Sequence, residues 1–301
     1  MPTLLSPEDR EWAARALGGR IVSARRLKGG ISAQTLLVTA ERPDGSRARA
    51  VLRRLSDSWI EAEPDIVTRE AALLDELERR EIPAPKHVAH DPCGPLLMTF
   101  ERGRTVHLPK DPATFTRRLV DALVHIHGGG PPTSPGHRDQ AAQLDAHVRE
   151  ESPRRSGVDV DPELWSHVRR LWPSIERRSP TLIHDDYHPG NVLWHRDRIS
   201  SIVDWTVPGI GQAAADACYL RLDVSLVRGL EAGDAVMAAY EAAMGEPVPD
   251  RPFWELLSAT RAVGIADAWY ASWVDVSVPG LSLALVEERL DAFVARALAQ
   301  L

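Results

Sequence analysis

The most informative part of this 301-residue chain is residues 181–205, TLIHDDYHPGNVLWHRDRISSIVDW. Short apolar runs on both sides predict two buried strands around a polar loop that extends from His184 to Asn191. A further apolar run ends at Asp204. Phosphoryl transfer requires one carboxylate to align the hydroxyl that is phosphorylated, and an amide oxygen and a second carboxylate to hold magnesium. The stretch therefore predicts a catalytic loop with a magnesium site.

Two other interpretations of the loop compete with this one. His184 and His188 are potential zinc ligands, but they lie on a loop that contains Pro189 and not on one face of a helix. No third soft ligand lies near them in the sequence. The aspartates and the asparagine are also common residues in turns, where they cap the backbone. A simple turn does not explain why Asp204 ends the next strand.

The pattern along the chain predicts an α+β fold with two lobes. Antiparallel strands are expected near residues 21–27, 33–40 and 48–55, because turn signals such as Pro-Asp-Gly separate them. A helix is expected over 63–82. From about Arg102 the pattern is mainly helical, and it includes a long helix over 252–274. We therefore expect a small β-rich lobe over residues 1–101 and a larger helical lobe over 102–301.

Composition and charge exclude several classes of protein. The net charge is -7 and the basic residues do not cluster, which disfavours a nucleic-acid surface. The two cysteines are far apart, as is usual in a reducing compartment. The sequence contains no transmembrane-length apolar run, so we expect a cytoplasmic protein without a membrane partner. Oligomeric state is not predicted.

The loop resembles that of the aminoglycoside phosphotransferase/choline kinase family, whose fold is similar to that of protein kinases. The family motif H-G-D-x-H-x-x-N, followed by a strand ending in I-D-W or I-D-F, matches residues 184–205. The resemblance implies that Asp186 is the catalytic base and that Asn191 and Asp204 bind Mg²⁺. It also implies three residues that shape or brace the loop, namely His184, His188 and Asp216. Asp185 stands where glycine is usual, and its carboxylate would raise the pKa of Asp186 if the two were close.

The resemblance also implies a nucleotide site in the first lobe, for ATP or GTP as phosphoryl donor. Arg53 stands where the family has a phosphate-binding lysine, and Glu70 is the expected partner of Arg53. Arginine keeps the charge but has a different geometry. Further nucleotide contacts are expected from a turn that approaches the phosphates and from a segment between the lobes, at Gly29, Gly30, Ser32, Met98 and Phe100.

The acceptor is expected to lie over the C-terminal helices. Trp269 and Trp273 are one helical turn apart beside Asp267, a combination that suits a cationic acceptor such as an aminoglycoside-like antibiotic. Packing of the tryptophans into the core is the simpler alternative. The predicted function is therefore O-phosphorylation of a small molecule. The alternatives are a metabolite kinase of the choline, sugar or homoserine type, a nucleotide-binding pseudokinase with a regulatory role, and a protein kinase, which the absence of DFG and APE segments disfavours.

Overall fold

The computed structural model describes residues 4–27, 33–150, 154–155, 158–159, 161–275 and 278–301. The chain forms two compact units. The first unit consists of Met1–Gly103, Thr133–Gly136 and Ser200–Thr206, and the second consists of Arg104–Pro132, His137–Ile199 and Val207–Leu301. Two segments from later in the chain thus belong to the first unit. The division into lobes at residue 101 stays a prediction.

The first unit is built on a five-stranded antiparallel sheet in the order β1-β2-β3-β5-β4. Its strands are β1 Arg20–Arg26, β2 Ala33–Glu41, β3 Arg47–Leu55, β4 His87–His90 and β5 Leu96–Thr99. Helix α1, Pro7–Leu17, begins where the Ser6 hydroxyl accepts a hydrogen bond of 3.0 Å from the Asp9 backbone. One apolar cluster joins α1 to the sheet through Ala13, Leu36 and Leu52, among others.

The helix predicted over 63–82 is present, and a short additional helix precedes it. Helix α2 spans Asp57–Ala62, and helix α3 spans Ile66–Arg79. Helix α3 buries apolar side chains together with Glu70 and Glu76. Since burial of an unpaired carboxylate is costly, both glutamates require partners inside the unit. Glu76 binds the segment 133–134, which explains why this segment belongs to the first unit.

The second unit is mainly helical. Its helices are α4 Pro112–Gly128, α5 Gln140–His147, α6 Pro162–Leu171, α7 Ala213–Arg228, α8 Leu230–Met244, α9 Arg251–Ala259, α10 Ala266–Asp275 and α11 Leu283–Leu298. Its short strands are β6 Arg138–Asp139, β7 Arg154–Arg155, β8 Val158–Asp159, β9 Thr181–Ile183, β10 Val192–His195, β11 Arg198–Ile202 and β12 Gly209–Gly211, with the end of β11 in the first unit. Strands β6, β12 and β9 form one sheet.

Helix α7 lies at the centre of the second unit, and every residue from Ala214 to Val227 is buried. The helix predicted over 252–274 is broken into α9 and α10. Helix α9 ends at Ala259 and is capped by Thr260. Gly264 then takes a φ of 86°, a left-handed conformation that a helix does not contain. The turn between the two helices carries Arg261. Within the described ranges, no helix has the length and apolar character needed to cross a bilayer.

Candidate active site

The polar loop is anchored by buried residues at its start. Strand β9 leads into His184, which is fully buried, and the ring of His184 packs edge-on against Tyr187. The Tyr187 hydroxyl donates a hydrogen bond of 2.9 Å to the Leu119 carbonyl in α4. A short 3₁₀ turn over Pro189–Asn191 then leads into β10. These contacts fix the backbone on both sides of Asp186.

Asp216 braces the start of the loop from helix α7. Its carboxylate is fully buried and accepts hydrogen bonds of 2.7 and 2.8 Å from the backbone N–H groups of His184 and Asp185. The same carboxylate lies 3.3 Å from Nε2 of His127, whose other ring nitrogen contacts the Tyr240 hydroxyl at 2.8 Å. Each carboxylate oxygen thus has its own backbone donor, which satisfies the buried charge.

The Asp186 carboxylate is held from two sides. Nη2 of Arg261 donates to Oδ1 at 3.1 Å, and Nδ2 of Asn191 donates to Oδ2 at 3.0 Å. The same Asn191 nitrogen also donates to the Asp186 carbonyl at 3.0 Å. Burial alone would raise the pKa of Asp186, but His188 and Arg261 lower it well below its ordinary value. Asp186 is therefore a fixed carboxylate that remains ionised at neutral pH.

His188 lies between two carboxylates. Its Nε2 is 3.7 Å from Oδ2 of Asp186, and its Nδ1 is 3.5 Å from Oδ2 of Asp223. The Gly190 N–H lies 3.2 Å from Nδ1 at the start of the 3₁₀ turn, but it cannot donate a hydrogen bond to the ring when Nδ1 carries a proton. Burial disfavours the charged ring, but Asp186 and Asp223 raise the pKa of His188 to about 9. His188 therefore adds positive charge beside Asp186 at neutral pH.

Asp223 was not predicted from the sequence. It lies in α7, seven residues and two helical turns after Asp216, so both carboxylates are on the loop-facing side of the helix. Its side chain is buried, and burial raises its pKa to about 6, although His188 opposes the rise. Its spacing from Asp216 was the one available sequence signal.

Arg261 was also missed, because the sequence predicted one continuous helix through it. Its guanidinium lies 4.2 Å from the centre of the Tyr219 ring, in cation–π geometry. Nη1 donates to the Asp185 carbonyl and is 3.8 Å from a carboxylate oxygen of the same residue. Burial disfavours its charge, but Tyr219 and the carboxylates of Asp185 and Asp186 raise its pKa overall. Nothing in the local sequence pattern indicates this role.

Asp185 adopts a left-handed backbone conformation with a φ of 59°. Glycine enters this region without steric cost, which explains physically why glycine suits the position. A raised pKa of Asp186 was expected only if the two carboxylates were close, and the pKa of Asp186 is in fact lowered by His188 and Arg261. The Asp185 backbone has partners at both ends: its N–H donates to Asp216 and its carbonyl accepts from Arg261.

A second polar cluster lies within the first unit around Arg53 of β3. One guanidinium nitrogen, Nη2, binds Glu70 of α3. The other, Nη1, donates to Oγ1 of Thr206 at 2.7 Å and to Oδ1 of Asp204 at 3.1 Å. Burial lowers the pKa of Arg53 and Asp204 opposes this effect, but a guanidinium stays charged in proteins. The structure therefore brings together the three residues Arg53, Glu70 and Asp204.

The other sequence-predicted nucleotide residues have different surroundings. Met98 is buried in β5 and pairs with Val51 of β3. Phe100 follows β5, and the Arg49 guanidinium lies 4.4 Å from the centre of its ring. The predicted phosphate-binding turn lies outside the described residues, and it contains Gly29, Gly30 and Ser32. The roles of all five residues stay predictions.

The proposed acceptor residues form part of an aromatic cluster. Trp269 packs edge-on against Tyr219 at 5.9 Å and against Trp273 at 6.1 Å between ring centres. Trp273 is only 3% exposed, so core packing accounts for it, as the alternative interpretation suggested. Asp267 is exposed at the start of α10. An acceptor role for these residues stays a prediction.

The donor groups around the loop fit magnesium in their chemistry. Since Nδ2 of Asn191 faces Asp186, its amide oxygen is directed elsewhere and receives no hydrogen bond from the described part of the chain. An amide oxygen and a carboxylate are hard ligands of the kind that Mg²⁺ takes from proteins. Over the same ranges, no group of three or more His, Cys, Asp or Glu side chains is placed to hold a metal, which gives the zinc interpretation no support.

Comparison with solved structures shows the fold. A macrolide 2'-phosphotransferase from Brachybacterium faecium matches with a TM-score of 0.59 and 16% identity, over 94% of this chain and 97% of its own. Aminoglycoside phosphotransferase APH(4)-Ia matches with a TM-score of 0.63 and 14% identity, over 95% and 97%. The choline kinase LicA from Streptococcus pneumoniae matches with a TM-score of 0.63 and 15% identity, over 97% and 98%. The predicted kinase-like fold is confirmed.

Sequence comparison identifies the family. No curated protein matches the chain significantly. The model of the phosphotransferase enzyme family matches residues 23–257, a range that contains β3, the polar loop, Asp204 and Asp216. The match confirms the resemblance based on the loop motif and the predicted enzyme class. This chain belongs to the phosphotransferase enzyme family.

Proposed function

We propose that this phosphotransferase moves the γ-phosphoryl group of ATP or GTP to a hydroxyl group of a small molecule, with Mg²⁺ as cofactor. Similar folds are known in complex with ADP and hygromycin B and with AMP, and these ligands support a nucleotide donor. The observation that carries the proposal is the position of Asn191, whose amide nitrogen binds Asp186 and leaves its oxygen for a metal.

Asp186 is the proposed catalytic residue. Its Oδ1 and Oδ2 each accept one hydrogen bond, and each carboxylate oxygen can accept two. A lone pair therefore remains for the acceptor hydroxyl. The lowered pKa of Asp186 makes it a weak base, so it orients the hydroxyl and receives the proton late in the reaction. A loose transition state needs orientation more than early deprotonation.

Asn191 and Asp204 are the proposed magnesium ligands. Magnesium, when bound, would neutralise charge on the phosphate oxygens. Asp204 also binds Arg53, whose buried Nε has no hydrogen-bond partner within the described residues. A phosphate oxygen would satisfy this nitrogen, and arginine binds phosphate through several N–H groups. Arg53 is therefore proposed to steady the phosphates while Glu70 fixes its direction.

We further propose that the acceptor is cationic. Structures of similar fold include a gentamicin complex of APH(2")-IIa and a choline kinase, and both gentamicin and choline are cationic. The likeness to choline kinase also supports a metabolite kinase as the second candidate. The cytoplasmic location and a role in antibiotic resistance stay predictions.

Calorimetry of ATP and GTP binding, with and without Mg²⁺, tests the proposal. We expect metal-dependent binding by the wild type that weakens at least tenfold in Asp204→Ala. The exposed carboxylate of Asp57 in the same unit supplies a matched control, and Asp57→Ala should bind as the wild type does. An acceptor screen would follow, with Asp186→Asn as the inactive reference. Failure of the wild type to bind either nucleotide under any metal condition would refute the proposal.

A further inference from the structure

Arg261 contacts the proposed catalytic residue, although neither the loop motif nor the helix pattern predicts this. Its side chain is 11% exposed and makes three kinds of contact with the loop and α7. It binds the Asp186 carboxylate, it binds the Asp185 carbonyl, and it lies on the face of Tyr219. The planar guanidinium is thus fixed in direction by an aromatic face and by two oxygen acceptors.

Arg261 and Asn191 each bind one oxygen of the Asp186 carboxylate. Arg261 donates to Oδ1 and Asn191 donates to Oδ2, so the plane of the carboxylate is fixed at both oxygens. Removal of either donor would allow the carboxylate to rotate about its side-chain torsions. Because proton acceptance requires a hydrogen bond of about 2.6–3.2 Å, rotation would misalign Asp186 with a bound hydroxyl.

Arg261 also holds the backbone next to Asp186. The left-handed conformation of Asp185 turns its carbonyl toward Nη1 of Arg261, while its N–H is directed to Asp216. A residue with a Cβ atom takes the left-handed conformation at a cost in free energy that favourable contacts can offset. The guanidinium thereby supports the peptide that immediately precedes the proposed catalytic residue.

We propose that Arg261 is a positioning residue for phosphoryl transfer, which acts through the Asp186 carboxylate and the Asp185 carbonyl and does not bind the nucleotide. This inference rests on the proposed function, because it assigns Asp186 to the reaction. It predicts that loss of the guanidinium lowers kcat and leaves the KM for nucleotide unchanged. A lysine keeps the charge but cannot contact two oxygens with one planar group, so it should restore only part of the rate.

The test measures Mg²⁺-dependent ATP hydrolysis with water as acceptor, since this reaction needs no identified substrate. We expect Arg261→Met to lower kcat about 100-fold, the cost of a small misplacement, with the KM for ATP within about twofold of wild type. The kcat of Arg261→Lys should lie between the kcat of the wild type and that of Arg261→Met. In Arg261→Ala, added methylguanidinium should raise kcat at least about fivefold, because it can replace the missing group in the vacated space.

Arg228 offers a matched control in the same unit. Its guanidinium also lies over an aromatic ring, 5.7 Å from the centre of Phe115, and makes no ion pair within the described part of the chain. Arg228→Ala should keep its kcat and show no response to methylguanidinium. A wild-type kcat in Arg261→Met, or a loss of kcat that neither lysine nor methylguanidinium reverses, would overturn this inference and leave the proposed function intact. A wild type that binds no nucleotide would overturn the proposed function as well.

Discussion

Replacement of Glu76 by glutamine should destabilise the protein in a pH-dependent way. The Glu76 side chain is fully buried in α3 and binds the segment 133–134. Oε1 accepts the Thr133 N–H at 2.8 Å, and Oε2 accepts the N–H and hydroxyl of Ser134 at 2.8 and 2.6 Å. Arg80 adds an ion pair one turn along the helix. Glutamine has only one acceptor oxygen and no charge, so it cannot satisfy all these donors.

The expected magnitude follows from the pKa of Glu76. Burial alone would raise this pKa, but the hydrogen bonds from Ser134 and Thr133 and the charge of Arg80 lower it from 4.5 to about 2. The difference corresponds to about 3 kcal/mol of stability at neutral pH. Because the folded-state pKa is the lower one, this stability is fully present above about pH 4.5 and is lost as the pH falls toward 2. About 2 kcal/mol of it should be gone at pH 3.

Urea denaturation at pH 7 and pH 3 measures the effect. The free energy of unfolding of Glu76→Gln should lie about 3 kcal/mol below that of the wild type at pH 7 and about 1 kcal/mol below it at pH 3. Glu78→Gln is the control, since Glu78 is an exposed glutamate of the same helix, paired with Lys86, and should change stability by less than about 1 kcal/mol. A Glu76→Gln difference that is the same at both pH values would refute this reasoning.

Three further substitutions test other parts of the structure. Asp216→Asn leaves one backbone N–H of the loop facing an amide NH₂. Urea denaturation should therefore show a free energy of unfolding about 1–3 kcal/mol below that of the wild type, and ATP hydrolysis should be slower. Unchanged stability would contradict the bracing role of Asp216. Asp185→Gly relieves a left-handed aspartate and keeps its backbone contacts, so stability should rise by up to about 1 kcal/mol, and a fall would argue against backbone strain. Asp267→Ala should lower turnover of a cationic acceptor such as gentamicin with little effect on stability, whereas unchanged kinetics would remove this exposed residue from the acceptor site.

Local sequence signals predicted the elements that are continuous in the chain. The loop, its flanking strands and Asp204 lie within 25 residues, and the alternation of apolar and polar residues marks their boundaries. The resemblance to the family implied Arg53 in β3 and its partner Glu70, and Glu70 is the residue that Arg53 binds. The predicted roles of these residues in the reaction stay predictions.

Contacts between distant segments were not predictable in the same way. Arg261 binds a residue 75 positions earlier, and its position depends on the break between α9 and α10, where the apolar spacing continues through the turn. Glu76 binds a segment 57 residues later, although by pattern it is an ordinary polar residue of a helix. Hydrophobic periodicity indicates which face of a helix is buried, but it does not indicate which buried polar groups are partners.

The presence of arginine at position 53 has a consequence for chemical labelling. A reagent that carries an activated acyl group on a nucleoside phosphate modifies a lysine at a phosphate site through its neutral amine, which acts as a nucleophile. The Arg53 guanidinium is buried against Glu70 and Asp204 and stays protonated, so it offers no such amine. An acyl-phosphate probe should therefore leave position 53 unmodified, which peptide mass spectrometry of the labelled protein would reveal.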